Sequence, residues 1–319
     1  MKSYREIADI GIVPVVTFDK KEQVIPTAKA LHTAGIRSIE ITLRTEIGLD
    51  AIKQIKQNFP DFLVGAGTVL TSKQVDEAIK SGADFLVSPG IDEQVVKYAQ
   101  DKDVLFIPGA ATPMEIQCAL KLNLEMIKVF PSEQLGGIQY LKSLFGPYPE
   151  LKVFSTGGIS ENNISDYIGL PNVMCCGGSW MVAREMLYLE DYDKIEEMTR
   201  RAISRIMSFR LKHVGLNCDT AEEAKNIAAE YETAFGFKCN ENPSSIFCDE
   251  VIEVLKSPYL GKKGHIAIGT KCLEKAIIYL ERKGFSFNTN SAVYRKDGSL
   301  QAIYLDNDIG GFAVHLVKD

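Results

Sequence analysis

FLVGAGTVLTSKQVDEAIKSGADFLVSPG, residues 62–90, decides the fold. Its outer runs, FLVGAGTV and DFLVSPG, are short, apolar and rich in β-branched residues, the composition of buried strands. Between them TSKQVDEAIKSG reads as a helix that ends at Gly82, where a left-handed cap is wanted. The alternation continues outward in both directions. From residue 10 to about 180 the runs are IVPVV, SIEITL, FLVGAGTV, DFLVSPG, VLFIPGA, EMIKVFP, KVFSTGG and VMCCGGSW, with helical patterns such as KEQVIPTAKALHTAG between them. Eight strand and helix alternations predict a (β/α)8, or TIM, barrel of the α/β class. Five of the runs end in or next to Gly, and the loops at the carboxyl ends of barrel strands are where such folds carry their chemistry.

A chain of 319 residues exceeds the usual size of one compact domain, so a barrel with an appendage is expected. The pattern changes after the charged helix DYDKIEEMTRRAISRIMSF, which places the barrel at 1–208 and a smaller α+β domain at 210–319. That remainder repeats weakly. KHVGLN, the helix TAEEAKNIAAEYETAFG and EVIEVLK are echoed by GHIAIG, the helix LEKAIIYLERKG and FAVHLVK, so each copy reads as a βαβββ module.

Composition excludes several partners. With a net charge of −6 and no concentrated Lys and Arg, the chain has no electrostatic footprint for nucleic acid or an anionic membrane. No apolar run reaches spanning length and the start, MKSYREIADIG, is charged, so a cytoplasmic protein is expected. The seven Cys show no CxxC spacing and read as reduced core thiols rather than a disulfide framework.

Alternation in SIEITLRTE sets Ile39, Ile41 and Leu43 on one face and Glu40, Thr42 and Arg44 on the other. The apolar face suits the outer helices. The other directs a carboxylate, a hydroxyl and a guanidinium inward, and burying Glu40 and Arg44 is costly unless they pair with each other or serve a ligand. In EMIKVFP, Lys128 stands between Ile127 and Val129 in an apolar strand. Either it snorkels out at the strand end, or desolvation yields the free amine that attacks a ketone to form an imine. Imine chemistry needs a proton carrier, for which Glu40 is available, and a carboxylate clamp, for which Arg44 is suited. Thr68 in GAGTVL and Pro89 in SPG would line the same mouth. STGGIS and GGSW place Thr156, Gly157, Gly158, Gly177, Gly178 and Ser179 on adjacent loops, where barrels commonly bind phosphate through backbone N–H groups.

These segments, with PVV, E-x-T-L-R-T from Glu40 to Thr45, GAGTV, SPG, IPGAATP, K-x-F-P from Lys128 to Pro131, TGGI and GGSW, make residues 1 to about 208 resemble the 2-keto-3-deoxy-6-phosphogluconate (KDPG) and 4-hydroxy-2-oxoglutarate (KHG) aldolases. The resemblance implies an imine-forming Lys128, Glu40 shuttling protons through water, Arg44 and Thr68 on the carboxylate, and phosphate contacts from the glycine pairs and Ser179. It also implies a lyase that needs no cofactor, pyruvate and a phosphorylated sugar acid as ligands, and a homotrimer. A phosphosugar isomerase or epimerase would use the glycine loops but not Lys128, and a sugar-phosphate sensor would need no Lys128, Glu40 and Arg44 together.

In the last third, His213 and His265 occupy equivalent places in the two modules, as do Glu253 and His315. Imidazoles with a carboxylate suit a divalent transition metal such as Ni, Co, Mn, Fe or Zn. HVGLN, VIEVLK, GHIAIG and GFAVHLV resemble the vicinal-oxygen-chelate superfamily, which includes glyoxalase I and bleomycin-resistance proteins. Glyoxalase I commonly has a carboxylate where this chain has His315, so the resemblance implies metal binding without assigning a reaction.

Overall fold

A computed structural model describes residues 3–319, which form two compact units, the first ending at Ile206 and the second spanning Met207–Asp319. All eight runs of the first unit are strands: β1 Ile12–Val16, β2 Ser38–Thr42, β3 Leu63–Gly67, β4 Phe85–Val87, β5 Leu105–Ile107, β6 Met126–Val129, β7 Lys152–Thr156 and β8 Val173–Gly178. Their order, β5-β4-β3-β2-β1-β8-β7-β6, is that of a parallel barrel. The remaining seam closes at Lys128. Its N–H donates to the carbonyl of Pro108 at 2.8 Å and its carbonyl accepts from Ala110 N–H at 2.9 Å, so β6 joins the chain just after β5 at the proposed nucleophile itself.

Helix boundaries follow local chemistry. Thr71 caps the helix Ser72–Lys80, and Thr112 with Glu115 forms a capping box on Pro113–Lys121. Gly35 ends Val24–Ala34 at φ 107°, a left-handed conformation that favours glycine. The helices cover the outside of the barrel, which is why all five residues of β2 are buried whichever way they point.

The lower part of the cylinder is solid. Ile7, Val13, Leu63, Phe85, Ile107, Met126 and Phe154 pack together there. Phe85 fits because Gly65, its cross-strand partner, has no side chain; a Cβ at that position would lie 2.2 Å from the ring. Inside the cylinder, open space lies beyond this layer, toward the carboxyl ends of the strands.

The second unit is one mixed sheet of eight strands, β9 Arg210–Asn217, β10 Cys239–Glu241, β11 Ser245–Cys248, β12 Ile252–Leu255, β13 His265–Thr270, β14 Phe287–Tyr294, β15 Leu300–Leu305 and β16 Ala313–Lys318. Helices Ala221–Phe235 and Leu273–Glu281 occupy equivalent places in two βαβββ modules. The order β10-β11-β12-β9-β13-β16-β15-β14 sets β9 antiparallel to β13 at the centre, with β12 parallel to β9 and β16 parallel to β13.

One expectation is corrected here. Cys239 and Cys248 form a disulfide, so the seven cysteines are not all reduced thiols; Cys118, Cys175, Cys176, Cys218 and Cys272 belong to no disulfide. Antiparallel pairing of β10 with β11 sets Cys239 opposite Cys248 with their Cα atoms 4.2 Å apart, a juxtaposition that their spacing along the chain does not announce. Among the described residues no helix is long and apolar enough to cross a membrane.

Candidate active site and candidate metal centre

Lys128 and Glu40, 88 residues apart, meet inside the barrel: Lys128 Nζ lies 3.1 Å from Oε1 and 3.3 Å from Oε2 of Glu40. The Lys128 side chain is 8% exposed and that of Glu40 1%, so both polar ends are held away from bulk water. The lysine does not snorkel out. Rings of Phe130 and Phe154 stand 5.6 and 5.7 Å from Nζ, giving the cation aromatic faces as further neighbours. Glu40 has room only because Gly67 lacks a side chain: a Cβ there would sit 2.3 Å from Oε1. The partner of Glu40 is thus Lys128, not the neighbouring Arg44 that alternation along the strand also offered.

Around this pair opens a cavity of about 200 Å³. Arg44, Thr68, Pro89, Thr156, Gly157, Gly158, Gly177 and Ser179 all line it. Arg44 lies two residues beyond β2, exposed, and makes no hydrogen bond or ion pair among the described residues. An unengaged guanidinium at the rim of a cavity is suited to an anionic ligand. Thr68 adopts φ 64°, a strained conformation for a β-branched residue, which fixes its position immediately after β3. The hydroxyl of Thr156 is buried without a hydrogen-bond partner among the described residues.

The two glycine turns differ from each other. Gly157 and Gly158 have φ of 95° and 77°, and a Cβ on either would strike the loop after β6, at Pro131 Cα (2.8 Å) and Glu133 Cβ (2.5 Å). Gly178 does not line the cavity, because the Trp180 ring occupies the space beside it; a Cβ there would lie 2.2 Å from that ring. The N–H groups of Gly157, Gly158 and Ser179 make no hydrogen bond among the described residues and remain available to an anion. Ser132, just after β6, is buried, its hydroxyl 2.6 Å from that of Ser155.

Sequence reasoning missed Val15, Thr17, Phe130 and Ile159, which also line the cavity. The only signal for the first two was that PVV leads off the end of the first strand.

In the second unit His213, Glu253, His265 and His315 converge from β9, β12, β13 and β16. His213 Nε2 is 3.0 Å from His265 Nε2, and Glu253 Oε2 is 3.4 and 3.1 Å from those two nitrogens. A nitrogen of each of the three histidines falls within 4.8 Å of the others. Small residues make this possible. Ala267 is the cross-strand neighbour of both His213 and His315, and a Cβ on Gly215 would lie 2.0 Å from the His265 ring.

Burial pushes the Glu253 carboxyl up, but hydrogen bonds from His213, His265 and Ser245 outweigh it and hold the group well below the carboxylate range. Burial, then the nearby His265 and His213, pushes His315 down to about 3. Its imidazole is stacked on Tyr304 with centroids 4.5 Å apart, and among the described residues neither of its ring nitrogens has a hydrogen-bond partner; nor does His265 Nδ1. Three buried ring nitrogens without partners are costly unless a ligand engages the cluster.

Comparison with known proteins shows the family. The family model for KDPG and KHG aldolases matches residues 5–198. The chain is 41% identical over 201 residues to 2-dehydro-3-deoxy-phosphogluconate aldolase of Haemophilus influenzae, covering 63% of this chain and 95% of that protein. It is 41% identical over 192 residues to the KHG/KDPG aldolase of Escherichia coli K12, covering 60% and 90%. Among solved structures, KDPG aldolase of Legionella pneumophila, with pyruvate captured at low pH as a covalent carbinolamine intermediate, aligns at 34% identity and a TM-score of 0.61, covering 63% of this chain and 99% of that one. By the family match, over more than half its length, the chain belongs to the KDPG and KHG aldolases.

Proposed function

We propose that the barrel cleaves 2-keto-3-deoxy-6-phosphogluconate reversibly to pyruvate and glyceraldehyde 3-phosphate through an imine on Lys128, and 4-hydroxy-2-oxoglutarate to pyruvate and glyoxylate in the same way. The observation that carries this reading is the buried amine of Lys128 within 3.1 Å of the Glu40 carboxylate, in a cavity rimmed by Arg44. The amine adds to the C2 carbonyl, and the carbinolamine loses water to give a protonated imine. Glu40, through a water, takes the proton of the C4 hydroxyl. The C3–C4 bond then breaks, its electrons pass into the imine, and the aldehyde leaves an enamine. Protonation at C3 and hydrolysis release pyruvate and free the lysine. The pyruvate carbinolamine captured in the Legionella pneumophila relative corresponds to the last covalent adduct of this scheme, formed when water adds to the pyruvyl imine.

In this reading Arg44 and Thr68 hold the substrate carboxylate beside Pro89, while Thr156, the N–H groups of the Gly157–Gly158 turn and Ser179 with Gly177 receive the phosphate end. The short turns after β7 and β8, more than any long helix dipole, supply those donors. The roles need no cofactor. An isomerase or epimerase would leave a buried lysine without a task. Assembly as a homotrimer and a cytoplasmic setting belong to the same proposal; the first rests on resemblance, the second on phosphorylated substrates too highly charged to cross a lipid layer. The test is reduction by borohydride in the presence of pyruvate. A reduced pyruvyl mass on the peptide carrying Lys128 is expected, and an active preparation that traps none refutes the scheme.

For the second unit we propose the vicinal-oxygen-chelate type, with a divalent metal held by His213, Glu253, His265 and His315. The donor set fits. The His213, His265 and Glu253 atoms, separated by 3.0–3.4 Å, can share one ion at the bond lengths of about 2.0–2.2 Å that zinc makes to nitrogen and oxygen, and His315 brings a nitrogen within 4.8 Å of those of the other two histidines. A bound metal would supply Lewis acidity there, and the imidazole at position 315 gives no basis for a lactoylglutathione lyase. Metal analysis after mild purification should find close to one equivalent, or accept one of Ni, Co, Mn, Fe or Zn; less than a tenth of an equivalent refutes the site.

A further inference from the structure

We propose that Thr17 is a specificity-determining residue of the barrel cavity, which holds a hydroxyl on the aldehyde half of the substrate. The inference rests on the aldolase reading above. Register sets Val15 opposite Glu40 and Val16 opposite Ile41, so Thr17 follows β1 at the level of Thr42. The two hydroxyls lie 2.6 Å apart and both residues line the cavity. Thr42 is 2% exposed, whereas Thr17 is half-buried. A hydroxyl has one proton to donate. When the deeper Thr42 donates to Thr17, the proton of Thr17 is left, polarised by the bond it accepts, for an acceptor in the cavity.

Strand order decides what that acceptor is. β1 lies between β8 and β2. A ligand with its carboxylate at Arg44 and Thr68, after β2 and β3, and its phosphate at the turns after β7 and β8 must lay its intervening carbons along the wall between them. Of that wall, among the described residues, only Val15 in β1 and Thr17 just after it line the cavity, and only Thr17 is polar. The carbon that passes there is the hydroxyl-bearing one next to the phosphorylated carbon of the aldehyde. Arg44 cannot serve it while it clamps the carboxylate.

The experiment runs in the condensation direction with the full chain, pyruvate, and either glyceraldehyde 3-phosphate or its 2-deoxy analogue. Thr17→Val should lower kcat/KM for the hydroxylated aldehyde about fivefold, mostly through KM, as expected for one lost neutral hydrogen bond. The deoxy aldehyde should lose much less, so the preference for the hydroxyl falls by a similar factor. Thr17→Ser, which keeps the hydroxyl, should restore that preference. Equal losses for both aldehydes, or an unmoved preference, would overturn the proposal and leave Thr17 a tie between strands. An unsubstituted chain that condenses neither aldehyde overturns the aldolase reading itself.

Discussion

Gly67→Ala tests the centre of the site without replacing a reacting group. A methyl at that position would begin 2.3 Å from Glu40 Oε1, 2.8 Å from Cγ and 2.9 Å from Cδ. Ordinary van der Waals contact for a Cβ starts near 3.4 Å, so the carboxylate must retreat by about 1.1 Å (3.4 − 2.3). It has few directions in which to go, being 1% exposed and packed in the barrel. A misplacement of about 1 Å in an acid or base costs on the order of a hundredfold in rate. Overpacking of this size destabilises by about 1–3 kcal/mol, which a barrel of this size withstands. The assay is pyruvate release coupled to lactate dehydrogenase, with borohydride trapping alongside and melting followed by circular dichroism. We expect kcat to fall about a hundredfold while the folded state persists. A folded variant with kcat within threefold of the parent would falsify the placement of Glu40 as the proton carrier.

Other substitutions probe the remaining parts. Lys128→Ala should abolish borohydride trapping altogether and lower turnover by at least about a thousandfold, measured by mass spectrometry and the coupled assay; residual trapping elsewhere would redirect the chemistry. Arg44→Lys keeps charge but loses the planar fork, so KM should rise about tenfold with a smaller change in kcat. Gly158→Ala meets both a φ of 77° and Glu133 Cγ at 2.5 Å, and should raise KM more for phosphorylated than for unphosphorylated sugar acids. Burial, with Glu125 nearby, raises Tyr4 to about 12. Between pH 10 and 12 the unfolded chain therefore loses this proton while the folded barrel retains it, and stability falls as pH rises through that window, by on the order of 2 kcal/mol. Tyr4→Phe should flatten that alkaline limb in melting curves, and an unchanged limb would count against the assignment.

Much of this protein is written in local pattern. Period-two alternation in SIEITL told which residues face inward, and the helix stops at Gly35 and Gly82 follow from φ values of 107° and 93° that glycine adopts without strain. Lys128 was conspicuous because an ammonium in an apolar strand violates the composition around it. The equivalence of His213 with His265 and of Glu253 with His315 was readable because a duplicated module repeats its register. Each of these signals depends on neighbours within a few residues, or on repetition.

What the tertiary structure decided depends on which strands are adjacent in space. From the strand alone Glu40 could have paired with Arg44; closure of the barrel gives it Lys128, 88 residues away, and leaves the guanidinium free. The same closure makes Gly67 indispensable and brings Thr17 against Thr42, while antiparallel pairing joins Cys239 to Cys248. Alternation determines which face a side chain takes, because it is a property of one strand's covalent geometry. Contact partners are properties of register between strands, and register emerges only when the whole sheet has closed and packed.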